Sequence, residues 1–131
     1  MRTVIHQTVT LPAPPEKLFW MYLDPAQHAA FTGHAVTIGA EPGAPFEAFG
    51  GALSGAMLRV VAPRLIVQSW RSVNFPAAAP DSTLFLSFTP EGREGRIDLV
   101  HVDVPVEDFD GVTQGWEKFY WMPWREFLAR G

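Results

Sequence analysis

The chain has 131 residues, of which 10 are Lys or Arg and 14 are Asp or Glu, so its formal net charge is −4. This acidic balance argues against a protein that binds nucleic acid or an anionic membrane by neutralising phosphates. Because the sequence contains no cysteine, a disulfide framework, a thiolate metal site and a cysteine nucleophile are excluded. Hydrophobic residues make up 47% of the chain and charged residues 18%, which is typical of one globular unit with a buried core.

The first third of the sequence predicts one strand followed by two short helices. Residues 3–11 are rich in β-branched side chains and end at residues 12–15, a proline-rich stretch that cannot continue a β-ladder. The same prolines suit the first turn of a helix, in which apolar side chains recur at helical spacing until Asp24-Pro25. Asp24 caps a second, short helix over residues 26–31, which Thr32-Gly33 closes.

No leader or membrane segment is expected. Residues 1–9 carry charge and polarity where a signal peptide needs an apolar stretch. No run approaches the length of about 18 apolar residues that is typical of a membrane-spanning helix. We therefore expect a soluble, cytoplasmic protein without membrane insertion.

The middle of the sequence is typical of an antiparallel meander. Short runs of alternating polarity are separated by turn residues such as Gly50-Gly51 and the alanine-proline stretch at residues 76–80. With the strand at residues 3–11, these runs predict seven strands, the other six lying at residues 35–38, 46–49, 53–61, 65–71, 83–88 and 96–104.

A long helix is predicted over residues 112–129. Trp116, Phe119, Tyr120 and Pro123 recur at helical spacing, so this stripe is expected to face the sheet. Pro123 removes a backbone donor inside the pattern and presses on the carbonyl of Phe119, which predicts a kink. The acidic residues before the helix are interpreted as a solvated helix start: Asp103, Glu107, Asp108 and Asp110.

This order of elements predicts an α+β helix-grip fold for residues 1–131, in which a curved seven-stranded antiparallel sheet wraps around the long C-terminal helix and two short helices follow strand 1. Six stretches of the sequence form recognisable motifs: Ile5-His6-Gln7, residues 13–19, Asp24-Pro25, Phe31-Thr32, residues 66–71 and residues 115–121. They resemble motifs of the START-like (SRPBCC, polyketide cyclase and Bet v 1-like) superfamily. Within it, the sequence is similar to the group containing the C-terminal domain of the activator of the 90-kDa heat-shock protein ATPase.

The resemblance implies a deep apolar cavity between the sheet and the C-terminal helix, which the superfamily uses to hold lipids, sterols, polyketides or hormones. The resemblance implies no catalytic residues in this sequence. The sequence does not include the separate N-terminal domain that anchors the eukaryotic activator on the chaperone, so the resemblance implies less than a full co-chaperone role. No phosphate-cradling glycine loop or dinucleotide fingerprint occurs, and no cofactor is expected.

Strand alternation and helical spacing select the residues expected to line this cavity. Leu84, Leu86 and Phe88 share the inner face of the sixth strand, which leaves Phe85 exposed. The remaining candidates are selected in three ways. Some lie on the inner face of the fourth, fifth or seventh strand by alternation, and others lie on the apolar stripe of the C-terminal helix. One lies at the end of the second helix, where a lid over the cavity is expected. They are Phe31, Met57, Arg59, Gln68, Trp70, His101, Trp116, Phe119 and Tyr120.

Three of these assignments leave alternatives open. His101 either forms a hydrogen bond with a neighbouring side chain or orients a ligand. Arg59 either pairs with a carboxylate or lies at the rim of the sheet, or it reaches an acidic ligand group. Trp70 either lines the cavity or packs under the loop at residues 76–80. The other histidines are scattered over different elements, so no metal site is predicted.

The sequence therefore favours a noncatalytic domain that binds a small apolar or amphipathic molecule. The alternative is a protein-interaction module that modulates a heat-shock ATPase or another protein partner in a stress response. An enzyme of the cyclase or dehydratase kind has support from fold analogy alone. The sequence does not distinguish a monomer from a homodimer.

Overall fold

Within residues 1–130, which the computed structural model describes, seven strands form one antiparallel sheet in the order β1-β7-β6-β5-β4-β3-β2. This arrangement confirms the predicted α+β helix-grip fold. The strands are β1 (Arg2–Leu11), β2 (Val36–Thr37), β3 (Pro45–Ala48), β4 (Leu53–Val61), β5 (Leu65–Ser72), β6 (Ser82–Glu91) and β7 (Glu94–Pro105).

The inner face of the sheet follows the predicted alternation in its long strands. Leu84, Leu86 and Phe88 are buried in β6, while Phe85 between them is 36% exposed on the outer face. His101 is buried in β7 on the same face as its neighbours at positions 97 and 99. Because successive strand residues point to opposite faces, these strands could be assigned an inside and an outside from their sequence.

A bulge in β4 places Arg59 outside the cavity wall, to which its parity assigns it. Met57 pairs with Gln68, but Arg59 pairs with Val67, so one extra residue, Leu58, lies between the two pairs. Such a bulge changes which face the following residues occupy. Met57 is fully buried, whereas Leu58 and Arg59 are both exposed, and Arg59 is therefore not part of the inner wall.

The two short helices after β1 are α1 (Pro15–Leu23) and α2 (Pro25–Thr32). Asp24 caps α2 through its carboxylate, which accepts a hydrogen bond from the Gln27 backbone N–H at 2.9 Å. Gly33 ends α2 with a φ of 81°, a conformation that glycine adopts without strain. The end of α2 is held against the C-terminal helix by Phe31, whose ring stacks on Trp124 at 4.1 Å between centroids.

The C-terminal helix consists of a 3₁₀ turn (Val106–Asp108), α3 (Phe109–Trp116), a π-helical turn (Glu117–Trp121) and α4 (Met122–Ala129). In the π turn the backbone N–H of Met122 donates to the carbonyl of Glu117, five residues earlier. Pro123 follows this turn and supplies no N–H of its own, so the predicted disturbance near Phe119 takes the form of a π turn.

The π turn changes which helix residues face the sheet. It inserts an extra residue into the helical repeat, so the stripe predicted from regular spacing rotates after Trp116. Trp121 and Trp124 are buried, and Trp121 donates from Nε1 to Gln7 Oε1 at 2.7 Å. Phe119 is 45% exposed, which corrects the prediction that its ring packs against the sheet.

The loop at residues 76–80 is organised by Arg71 at the end of β5. Its guanidinium donates to the carbonyl oxygens of Ala79 at 2.7 Å and Pro76 at 3.0 Å, and to the carboxylate of Asp81 at 3.2 Å. The fork of guanidinium donors suits several acceptors at once, so one side chain closes the loop. No helix in residues 1–130 is long and apolar enough to cross a membrane.

Candidate functional site

A cavity of about 370 Å³ lies between the C-terminal helix, the paired ends of β4 and β5, and the loops that follow β3 and β5. Aromatic rings make up much of its wall, and a few polar groups lie among them. The aromatic lining residues are Phe49, Trp70, Trp116, Phe119 and Tyr120, and the polar ones are His34, Ser72, Asn74 and Asp108.

The predicted wall residues divide into three groups in the structure. Four of them line the cavity: Trp70, Trp116, Phe119 and Tyr120. Another four are buried in the core but do not line the cavity, namely Phe31, Met57, Gln68 and His101. Arg59 is exposed outside it, which corrects its assignment to the wall.

His101 supports the cavity wall from behind through a chain of hydrogen bonds. Trp116 donates from Nε1 to His101 Nδ1 at 3.2 Å, so the ring proton of His101 is on Nε2 and is donated to Ser82 Oγ at 2.8 Å. The Ser82 hydroxyl in turn donates to the backbone carbonyl of Trp70 at 2.6 Å. Burial lowers the pKa of His101 to about 3, so the ring is neutral at neutral pH. His101 therefore ties together the two tryptophans of the wall.

Of the two positions that its sequence left open, the structure places Trp70 in the cavity wall. It lines the cavity, and its ring packs against His101 at 4.6 Å and against Phe75, in the segment before the loop, at 5.8 Å between centroids. Its indole Nε1 is buried without a hydrogen-bond partner in the protein.

A second buried histidine, His28, was not among the predicted site residues. Its Nδ1–H donates to the backbone carbonyl of Tyr22 at 2.7 Å, and its Nε2 therefore accepts the hydroxyl proton of Tyr120 at 2.9 Å. Burial lowers the pKa of His28 to about 4. In the same region the Tyr22 hydroxyl donates to Gln68 Oε1 at 2.6 Å. No sequence spacing signals this pairing, because Tyr120 and His28 are 92 positions apart.

Replacing Tyr120 by phenylalanine is expected to lower the free energy of unfolding by about 1 to 3 kcal/mol, because a buried acceptor loses its donor. The ring and its contacts stay in place, so His28 Nε2 is left without a partner. Urea denaturation followed by circular dichroism measures the effect. Wild-type stability in Tyr120→Phe would show that this hydrogen bond contributes nothing to the fold.

Asp108 departs from its interpretation as part of a solvated helix start. It is 8% exposed and lines the cavity. Burial raises the pKa of its carboxyl group, and a hydrogen bond from the Ser72 hydroxyl lowers it in part. Although Asp108 is the N-cap residue of α3, its side chain makes no cap hydrogen bond to the helix backbone. The sequence pattern around it, a run of acidic residues, resembles an ordinary solvated face.

The rim of the cavity is formed in part by Phe49, which follows β3 with a φ of 54°. A bulky side chain adopts this left-handed conformation at a cost of about 1 to 2 kcal/mol. Its ring packs on Phe119 at 5.6 Å and on Tyr120 at 6.0 Å between centroids, which holds it over the cavity. The half-exposed Phe119 thus belongs to the rim of the cavity.

This arrangement is suited to binding. Both buried histidines have both ring nitrogens in hydrogen bonds, so neither presents a free nitrogen to the cavity. In the described part of the chain, no three His, Cys, Asp or Glu side chains are grouped to hold a metal ion. A largely apolar wall with a few polar atoms is typical of sites for small organic molecules.

Comparison with known proteins identifies relatives over most of the chain. A family model described as "Activator of Hsp90 ATPase homolog 1-like protein" matches residues 12–122. The activator of 90 kDa heat shock protein ATPase homolog 1 of Homo sapiens is 26% identical over 106 residues, which cover 81% of this chain and 31% of that protein. The Dictyostelium discoideum homolog is 27% identical over 90 residues, or 68% of this chain and 23% of that protein. The matched part of the chain thus spans 23% to 31% of the length of these relatives.

A solved structure shows the same fold. The crystal structure of an HSP90 activator from Plasmodium falciparum superposes with a TM-score of 0.87, covers 96% of both chains and is 19% identical. At this level of identity the similarity concerns the fold.

Proposed function

The chain belongs to the activator of Hsp90 ATPase homolog 1-like family, and on this premise we propose that it binds a small apolar or amphipathic molecule between its sheet and its C-terminal helix. The observation that carries the proposal is the aromatic cavity of about 370 Å³. Sites for small organic molecules commonly have volumes of about 300 to 1,000 Å³ and mostly apolar walls.

The energetics of such binding rest on apolar burial. Each Å² of apolar surface removed from water contributes about 25 cal/mol. The Trp116 indole is positioned by its hydrogen bond to His101, and the backbone of Trp70 by its hydrogen bond from Ser82, so both wall residues are oriented without a ligand. A preorganised wall loses less conformational entropy on binding.

Gly115→Leu is expected to abolish ligand binding while leaving the fold intact. Gly115 lines the cavity, and a Cβ at this position would meet Phe119 at an ordinary van der Waals distance of 3.7 Å, so the added side chain occupies the cavity without a backbone clash. The measurement is thermal unfolding against a panel of fatty acids, sterols, flavonoids, aromatic acids and aromatic amines. A ligand present at 100 times its dissociation constant stabilises the native protein by about 2.7 kcal/mol.

Gln114→Leu is the matched control, because Gln114 is the preceding helix residue, is exposed and does not line the cavity. The proposal predicts a rise of several degrees in wild type and in Gln114→Leu, and none in Gly115→Leu. A panel without a hit, or a hit that persists in Gly115→Leu, would contradict binding in this cavity.

The curated relatives favour a second candidate function, in which the chain modulates a 90-kDa heat-shock protein ATPase through its outer surface. The partly exposed Phe85 on the outer face of the sheet is an apolar contact point for such a partner. The test is ATP hydrolysis by the purified chaperone with and without the chain, with Phe85→Ser as the variant. Stimulation that Phe85→Ser reduces would support this function, and an unchanged rate in the presence of wild type would refute it.

A further inference from the structure

The described residues that line the cavity include a negatively charged side chain but no lysine or arginine. Of the cavity-lining residues in the described chain, Asp108 is the one acid, and none is a lysine or an arginine. His34 lies exposed at the rim. The two salt bridges found in residues 1–130 join Arg71 to Asp81 and Arg96 to Asp98, and neither involves Asp108. The wall therefore presents one carboxylate without a cationic partner.

The Asp108 carboxylate also accepts no hydrogen bond from the backbone N–H groups at the start of α3. It is more than nine-tenths buried, yet it forms no cap hydrogen bond to α3. Its neighbour Ser72 accepts the Asn74 N–H at 3.1 Å through Oγ, so the Ser72 hydroxyl proton is free to be donated to Asp108. A neutral hydroxyl donor solvates a carboxylate but does not neutralise its charge.

Space is left for this carboxylate by Gly111, one turn further along α3. A Cβ at Gly111 would lie 2.6 Å from Asp108 Oδ1, too close for contact. Gly111 lines the same cavity, so the absence of a side chain there leaves room beside the carboxylate in the cavity wall.

Aromatic side chains form much of the rest of the cavity wall. A ring face is the negative pole of its quadrupole and attracts organic cations, most strongly in tryptophan. Trp70, Trp116, Tyr120 and Phe49 present rings to the same cavity that contains the carboxylate. An acidic ligand would instead meet a buried like charge, which is repulsive.

We propose that the cavity selects an organic cation, an amine whose ammonium group lies beside the Asp108 carboxylate while its apolar part packs among the aromatic rings. This inference rests on the proposed function, because it requires that the cavity be a ligand site. It excludes fatty acids and other carboxylates as the preferred class.

Three naphthalene probes of nearly equal size test the charge preference: 2-(2-naphthyl)ethylamine, 2-(2-naphthyl)ethanol and 3-(2-naphthyl)propionate. Isothermal titration calorimetry at neutral pH measures the affinity of each for the whole chain. We expect the amine to bind at least about tenfold more tightly than the carboxylate, with the alcohol between them.

Asp108→Asn keeps the side-chain shape and removes its charge, so it is expected to reduce the affinity for the amine by about tenfold while leaving the affinity for the alcohol within about threefold. Asp110→Asn is the matched control, because Asp110 is exposed on the same helix and does not line the cavity. Its affinities should match those of wild type.

The outcomes separate this inference from the proposed function. Suppose that all three probes bind wild type with equal affinity, that none binds Gly115→Leu, and that Asp108→Asn changes none of the affinities. The cavity is then a ligand site, and the cation preference is wrong. If the carboxylate binds best, the preference is likewise overturned. If no probe binds to wild type, both the ligand site and the cation preference are rejected for this chemistry.

Discussion

Acidification from about pH 7.5 to about pH 4.5 is expected to lower the free energy of unfolding by about 5 kcal/mol through two buried histidines. Burial lowers the pKa of His28 to about 4 and of His101 to about 3 in the folded protein. In the unfolded chain a histidine has a pKa of about 6.5, so between these values the unfolded state binds protons that the folded state does not.

The sign follows directly from this difference. A depressed folded pKa gives stability that is fully present above the unfolded pKa and is lost as the pH falls toward the folded pKa. Each histidine contributes a slope of about 1.4 kcal/mol per pH unit in this window. Asp108 acts in the opposite direction, because burial raises the pKa of its carboxyl group and the folded state then binds its proton more readily.

Urea denaturation at several pH values, followed by circular dichroism, measures this slope. His28→Asn is expected to reduce the slope by about half, because one of the two proton-binding differences is removed. A stability that stays constant from about pH 7 to about pH 5 would show that the two rings are not held neutral.

Gly55→Ala is expected to destabilise the protein by about 3 kcal/mol, because the added methyl group has no space between β4 and β5. A Cβ at Gly55 would overlap the carbonyl oxygen of Ser69 and lie 2.7 Å from its carbonyl carbon. Both are backbone atoms, so the strands themselves must move apart. The pairing is already irregular there, since Ser69 Oγ accepts the Ala56 N–H at 2.9 Å.

The same substitution at Gly115 is the matched control for Gly55→Ala. A Cβ at Gly115 meets one side-chain atom at 3.7 Å, and alanine favours the helical backbone, so Gly115→Ala should raise the free energy of unfolding by about 0.5 to 1 kcal/mol. Thermal and urea unfolding of the two variants test the contrast. Equal stabilities would contradict the close approach of Ser69 to Gly55.

Much of the fold could be predicted from the sequence, and the site only in part. Alternation placed Leu84, Leu86 and Phe88 on the inner face, where the structure has them. Alternation along β7 also predicted that His101 is buried, which the structure confirms. Alternation does not show which buried residues border a cavity, and His101 lies behind the cavity wall without lining it.

The errors in the predicted site have local geometric causes. One extra residue in β4 turns Arg59 outward, and one extra residue in the helical repeat turns Phe119 toward the rim. Each prediction assumed an uninterrupted period, of two in the strand or of 3.6 in the helix. Pro123 signalled a disturbance in the helix but not its form.

The sequence by itself determined the succession of strands and helices and which face of most strands is buried, because the spacing of apolar side chains is a local property of the chain. The tertiary structure alone decided which polar groups become partners and which remain open. His28 forms a hydrogen bond with Tyr120, which lies 92 positions away in the sequence. Asp108 belongs to an acidic run typical of a solvated surface, yet it lies in the cavity wall. Such pairings depend on contacts between distant segments, whose geometry no local spacing contains.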